Sequence, residues 1–158
     1  MRLALFQPDI AANAGTLIRL GACMNVSLDI IEPCGFPFGD AAFRRAGMDY
    51  IDRAKVSRHA SWDAFRDSNG RRLILATTKS ALAYTSFEFT NNDTLLLGRE
   101  SAGVPDHVAA VCAARICIPM SKGARSLNVA VAAAMILGEM IRQVRLVGAA
   151  KEGQAHEH

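Results

Sequence analysis

Apolar and polar positions along this chain fall in short blocks that switch between two periods. Residues 3–6, LALF, form an apolar run soon ended by Pro8, as expected of a buried strand. From Asn13 the period lengthens. Leu17, Ile18, Leu20 and Gly21 recur at helical spacing, with Asn13 as a candidate N-cap. Residues 27–33 read as a second strand stopped by Pro33. Asp40 is placed to cap a short helix through Arg44 and Arg45, and residues 61–67 read as a helix with a serine cap. Further strands are predicted at 72–78, 94–98 and 114–119, and a short helix opens at Pro105. The last segment, 127–146, is predicted to be one long helix. It is apolar nearly all round (Val129, Val131, Met135, Ile136, Leu137, Met140, Ile141) and therefore expected to be buried.

Strands alternating with helices predict an α/β fold with a mainly parallel sheet and helices on both faces. No internal repeat or second domain is visible. Residues 1–150 are expected to form one domain, with 151–158 a disordered tail.

Composition narrows this picture. In 158 residues, 51% are hydrophobic and 21% charged, as in a folded globular protein. No run reaches the roughly 20 apolar residues that a membrane helix requires. The start MRLALFQPDI has too few apolar residues for a signal peptide, so a cytoplasmic location is expected. The four cysteines form no CxxC pair and have no histidines at ligand spacing, so no metal is expected.

Charge adds a partner class. Fourteen of the eighteen basic residues are arginine, the side chain suited to bidentate phosphate contact. Eight basic residues and four aspartates lie between Arg44 and Arg72, which suits an anionic partner such as nucleic acid, or a solvated face with local ion pairs.

Three loops following strands carry the candidate chemistry, because ligands of parallel α/β sheets bind at strand carboxyl ends. NAGTLIR (13–19) opens a helix whose free N–H groups favour anions, with Arg19 about one turn on. LLLGRESAGVP (95–105) runs from a buried strand through Gly98, Arg99, Glu100 and Gly103. It fits neither a Walker loop nor a GxGxxG fingerprint. Glu100 there could pair with an arginine such as Arg19, or orient a ligand. IPMSKGARSLNVAVAAA (118–134) joins a polar, glycine-containing loop to a helix start marked by Ser126, a candidate N-cap, and Asn128. Its alanines suit close packing and close ligand approach equally. Each loop alone leaves a structural and a functional reading open.

In this order and spacing, the three resemble the motifs of the SpoU branch of the SPOUT RNA methyltransferases, across nearly the whole chain. Within the branch, FQPDIAANAGTLIRL, IIEPCGF, RRAGMDY, RLILATTK and the ARSLN segment look most like the compact members that act on the wobble nucleotide of tRNA. The resemblance implies a deep C-terminal trefoil knot and a homodimer with the final helix in its interface. It implies S-adenosylmethionine as methyl donor, S-adenosylhomocysteine as product, and no metal. The matching cofactor positions are Ala76, Thr77, Thr78, Gly98, Arg99, Glu100, Gly103, Ile118, Pro119, Met120, Ser126, Leu127 and Asn128. The matching catalytic positions are Arg19, Ser126, Asn128, Glu100 and Asn13, with Arg19 serving the partner protomer's site and Glu100 holding Arg19 or Asn13.

The implied reaction is 2'-O-methylation of the ribose of nucleotide 34, a cytidine or modified uridine, in the tRNA anticodon stem-loop. Arg44, Arg45, Arg53, Arg58 and Arg125 are the candidate RNA-phosphate contacts, and Phe36, Phe38 and Tyr50 the candidate stacking residues. Two alternatives share these features: 2'-O-methylation of another tRNA or rRNA nucleotide, and RNA binding without catalysis.

Overall fold

The computed structural model describes residues 1–37, 41, 45, 50 and 53–155, with side chains through residue 145. In chain order the elements are β1 (Arg2–Phe6), α1 (Ala11–Met24), β2 (Ser27–Ile31) and β3 (Val56–His59). They are followed by α2 (Trp62–Ser68), β4 (Arg72–Ala76), a single 3-10 turn (Tyr84–Ser86) and β5 (Asp93–Leu97). The chain ends with α3 (Asp106–Ala110), β6 (Ala114–Ile116) and α4 (Val129–Ala155).

The six strands form one sheet in the order β3-β2-β1-β5-β4-β6, with every neighbouring pair parallel. The predicted α/β architecture is therefore present. Register places Leu3 opposite both Leu28 and Leu95, and Ile74 opposite Leu95 and Ala114. Strand alternation then sorts the core into two layers. Leu3, Leu5, Leu28, Ile30, Ile74, Leu95 and Leu97 pack with Leu17 and Ile18 of α1 and with Ala133, Ile136, Leu137 and Met140 of α4. Ala4, Phe6, Ile31, Leu73, Leu75 and Leu96 face the other way, toward Trp62 and Phe65 of α2 and Val108 of α3. Each fully buried large side chain contributes roughly 1.5–3 kcal/mol.

Two buried carboxylates anchor the sheet, Asp29 in the middle of β2 and Asp93 at the start of β5. Asp29 receives Arg2 through both of its oxygens, at 2.7 and 2.8 Å, and lies 2.9 Å from Nε2 of His59. Asp93 receives Arg72 at 2.7 and 2.8 Å and the Thr90 backbone N–H at 2.8 Å. Burial opposes ionisation of Asp93, but the Arg72 and Thr90 hydrogen bonds prevail and hold its pKa below 3.8.

Several boundaries differ from the sequence expectation. β3 carries no alternation that announces a strand; its form comes from pairing with β2 at the sheet edge. The 27–33 strand ends at Ile31, and the strands expected at 72–78 and 114–119 end at Ala76 and Ile116. The last helix begins at Val129 and runs to Ala155, and it is not buried all round. Val131 is 49% and Met135 40% exposed, because only one side of α4 meets α1 and the sheet. The expected capping residue Asp40 lies outside the described residues. Among the described residues, no helix is long and apolar enough to cross a membrane.

Candidate functional site

β1 and β5 are neighbours, yet the chain leaves them in opposite directions, toward β2–β3 and toward β6. At such a switch point the loops after the strands diverge and leave a crevice. Beside this point lies a cavity of about 540 Å³. Its wall is built from the ends of β4 and β5, the loop after β6 and the start of α4.

The β5 loop is shaped by its glycines. A Cβ on Gly98 would meet Gly103 backbone atoms at 2.6 and 2.7 Å, so the position admits no side chain. Gly103 has a φ of +67°, and its backbone pairs with Arg99 through N–H···O bonds of 2.8 and 2.9 Å. This tight turn points Glu100 back toward the β1–α1 loop. Glu100 Oε1 accepts from Asn13 Nδ2 at 3.0 Å, and Oε2 accepts from the Asp9 backbone N–H at 2.8 Å. Of the two partners expected for Glu100, Arg19 or Asn13, it is Asn13 that it meets among the described residues.

Asn13 is not the helix cap. α1 starts two residues earlier with Ile10 at the cap position, because Ala11 and Ala12 continue the helix directly from extended Ile10. Asn13 thus lies in the first turn, 9% exposed, and its amide is free for tertiary contacts. Its Oδ1 accepts from Asn128 Nδ2 at 2.9 Å. Asn128 is the cap of α4: its Oδ1 accepts from the N–H groups of Ala130 at 2.8 Å and Val131 at 3.3 Å. The capping role expected of Ser126 therefore falls to Asn128, two residues on. One asparagine side chain both starts α4 and ties it to the other two loops.

Asp9 completes the junction. Its Oδ1 takes Arg99 Nη2 at 2.8 Å, and its Oδ2 takes the Ser101 N–H at 3.1 Å and the Ser101 hydroxyl. Hydrogen bonds from Arg99, then from Ser101, hold the Asp9 carboxyl at about 2. Gln7 adds a contact of 3.5 Å to Arg99 from a backbone with φ +45°. Nothing in the residue pattern marks Gln7, Asp9 and Ser101 as partners. Their only signal is position, just beyond a buried strand or beside Glu100.

Of the expected cofactor positions, Ala76, Thr77, Thr78, Gly98, Arg99, Glu100, Gly103, Ile118, Met120, Ser126, Leu127 and Asn128 line the cavity; Pro119 does not. Lys79, Asp106 and Arg115 line it as well. Arg19 is outside the lining, on an exposed side of α1, with its guanidinium carbon 5.3 Å from the Tyr50 ring centroid. Arg45, Arg53 and Arg125 are exposed, while Arg58 is paired with Glu32. Arg44 and Phe38 lie outside the described residues, and Phe36 packs against the core. Burial, reinforced by Glu32, pushes the Cys34 thiol up to about 11. Burial likewise raises Cys112 to about 11, so neither is a ready nucleophile. No group of three metal-ligating side chains occurs among the described residues.

An open parallel sheet with a nucleoside-sized cavity at its carboxyl ends defines a ligand-binding α/β protein. Residues 1–138 match the SpoU rRNA Methylase family model, and the chain belongs to that family. A tRNA (cytidine(34)-2'-O)-methyltransferase of Ancylobacter novellus is 62% identical over 146 residues, covering 90% of this chain and 92% of the relative. A structure solved for 2-OH methylation of C/U34 on tRNA superposes with a TM-score of 0.87 at 35% identity, covering 93% of this chain and 96% of that one. The AdoMet-bound rRNA methyltransferase of Sinorhizobium meliloti superposes with a TM-score of 0.80 at 25% identity, covering 89% of this chain and 55% of that one.

Proposed function

We propose that this chain methylates the ribose 2'-hydroxyl of nucleotide 34 in tRNA, with S-adenosylmethionine as donor. One observation carries the reading: Asn13, Glu100 and Asn128 are joined at the rim of a cavity in a chain 62% identical to an enzyme of that name.

The cavity fits the donor. Its volume of about 540 Å³ lies within the usual range for small-molecule sites. Leu97, Ile116, Ile118 and Leu127 give apolar walls for a planar base, and Thr77, Thr78 and Ser126 give hydroxyls for polar substituents. The side-chain-free turn at Gly98 lets backbone approach closely. When bound, S-adenosylmethionine supplies a sulfonium methyl already activated for displacement, leaving S-adenosylhomocysteine.

The protein's task is positioning. The Asp9–Arg99–Ser101 cluster and Glu100 hold the β5 loop, while Asn128 holds the start of α4 against Asn13. Ser126, two residues before that cap, orders the loop beside the reacting ribose. Arg19 lies outside its own chain's cavity lining and serves the site of the second protomer. It touches the 2'-oxygen or an adjacent phosphate. A guanidinium is a permanent cation, so its part is to donate hydrogen bonds and stabilise developing negative charge.

Homodimerisation is supported by the side of α4 that its own chain leaves uncovered. Val131, Ala134, Met135 and Gly138 recur at helical spacing on that exposed side. The segment between β6 and α4 closes the C-terminal trefoil knot, a reading supported by its bridge from Cys117 to Ala83 and its Asn128 tie to Asn13. The anticodon stem-loop is the RNA element bound, Arg45, Arg53 and Arg125 are its phosphate contacts, and the cytoplasm is where the protein works. Transfer of labelled methyl to tRNA from a strain lacking the gene tests the reading. Label at ribose 34 supports it; label confined to another nucleotide, or no transfer, rejects it.

A further inference from the structure

A second cleft, of about 250 Å³, opens at the amino-terminal end of the sheet, lined by Arg66, Asn69, Arg71, Arg72, Leu73, Val111 and Ala113. Arg72 opens β4 and Ala76, at the other end of the same strand, lines the cavity described above. The two sites therefore lie about 13 Å apart along one strand. No residue lines both the cleft and the cavity.

The charges in this cleft are unequally committed. Arg72 is held in an ion pair: it meets Asp93 through both carboxylate oxygens, donates to the Glu88 carbonyl and stacks 5.1 Å over Phe87. Its role is structural, fixing one wall. Asn69 is likewise tied in, donating to the Arg71 carbonyl at 3.3 Å and accepting from the Thr94 hydroxyl at 3.4 Å. Arg66 and Arg71 differ. Neither makes an ion pair among the described residues, although Asp63 and Asp67 share α2 with Arg66. Arg66 also sits in the last turn of α2, where the helix dipole favours a cation without consuming its donors. Arg71 gives one N–H to the Asn91 carbonyl at 3.1 Å, which aims the group and leaves its other donors available. Beside these cations lies an apolar wall with Leu73, Ala113 and Val111, the last 42% exposed.

We propose that this cleft is a second RNA-backbone contact, in which Arg66 and Arg71 hold phosphates of the substrate at the end of the sheet opposite the methyl-transfer cavity. Two guanidiniums without an ion pair among the described residues, beside an apolar wall, match a polynucleotide strand, which alternates phosphate charge with the less polar faces of its sugars. The inference rests on the RNA-methyltransferase reading and extends it. The cleft adds affinity and register for the whole substrate, while chemistry stays at the distant cavity.

The test compares wild type with the single variant Arg66→Ala, the double variant Arg66→Ala/Arg71→Ala and the double Lys replacement. Arg66→Ala breaks no hydrogen bond recorded among the described residues, so it reports on the cleft even if the double variant folds poorly. Binding of unmodified tRNA is measured by fluorescence anisotropy across a salt series, beside steady-state transfer. The double Ala variant is expected to raise KM for tRNA about tenfold and to reduce the salt slope of log K by about 2. S-adenosylmethionine affinity and kcat at saturating tRNA stay unchanged, and the Lys pair restores most of the affinity. Unchanged tRNA affinity and salt slope in the double variant would overturn the proposal, leaving the cleft a solvated face or a site for an acidic protein. If wild type bound tRNA but methylated no nucleotide, the functional reading would fall, and the anisotropy result would still decide this one.

Discussion

Asn128 and Asn13 are 115 positions apart, yet the amide of one donates to the other at 2.9 Å. The same Asn13 donates to Glu100 at 3.0 Å, so three loops from three parts of the chain meet through two asparagines and one carboxylate. Asparagine suits this junction because it offers a donor and an acceptor at once. In Asn128 the acceptor caps α4 and the donor reaches α1.

Those two tasks can be separated by mutation. Asn128→Ala loses both, and the missing cap alone costs about 1 kcal/mol. A thermal melt should show the midpoint down by roughly 2–4 °C. Asn128→Asp keeps the cap but replaces the donor to Asn13 with a charge. It is expected to melt near wild type and to lose at least tenfold in transfer rate. Wild-type transfer by Asn128→Asp would mean that Asn128 is a cap and nothing more.

Gly98→Ala probes the turn directly. The added methyl meets Gly103 backbone, which cannot swing aside as a flexible side chain would. Overpacking of this kind costs about 1–3 kcal/mol. The β5 loop is expected to shift and S-adenosylmethionine binding, measured by calorimetry, to fall more than tenfold. Wild-type affinity in Gly98→Ala would show that the cavity does not depend on this turn.

The Asp9–Arg99 pair gives a pH dependence with a definite sign. Asp9 is lowered in the folded state from its usual 3.8 to about 2, first by Arg99 and then by Ser101. A depressed carboxylate stabilises the fold fully above its unfolded pKa and loses that contribution as pH falls through the folded one. The stability difference between wild type and Asp9→Asn is therefore expected to be constant above about pH 5 and to shrink between about pH 4 and pH 2. Urea midpoints at a series of pH values check this. A difference that grows on acidification would contradict the pairing.

Arg19 and the exposed side of α4 are tested together by mixing subunits. Arg19→Ala and Asn128→Asp are each expected to lower transfer at least tenfold when assayed alone. If Arg19 serves the other protomer's site, a mixed dimer contains one intact site and recovers activity. Met135→Glu is expected to yield monomers by analytical ultracentrifugation and to be inactive. Failure of the mixed dimers to recover activity would place Arg19 in its own chain's site or outside the chemistry.

Much of the sheet was legible because buried parallel strands are short apolar runs, as in LALF, RLILA and DTLLL. β3 was not, since VSRH is an edge strand with exposed Ser57 and Arg58, and only its pairing with β2 makes it a strand. The site was legible as motifs but not as geometry. Asn13 reads as a cap from sequence because asparagine before an apolar helix usually is one. The helix begins earlier; Asn13 is one of the two partners expected for Glu100, whereas its contact with Asn128 comes from the fold alone. Asp9 was invisible for a related reason: its partners Arg99 and Ser101 lie some 90 positions away across the β1–β5 switch point.

The central claim is the position of the methyl group. The most direct measurement is mass-spectrometric mapping of 2'-O-methylated nucleotides in tRNA from a strain lacking this gene, before and after incubation with the purified protein and S-adenosylmethionine. Nucleotide 34 is expected to be unmethylated in the first sample and methylated in the second. Full methylation of nucleotide 34 without the gene, or restoration at a different position only, would contradict it.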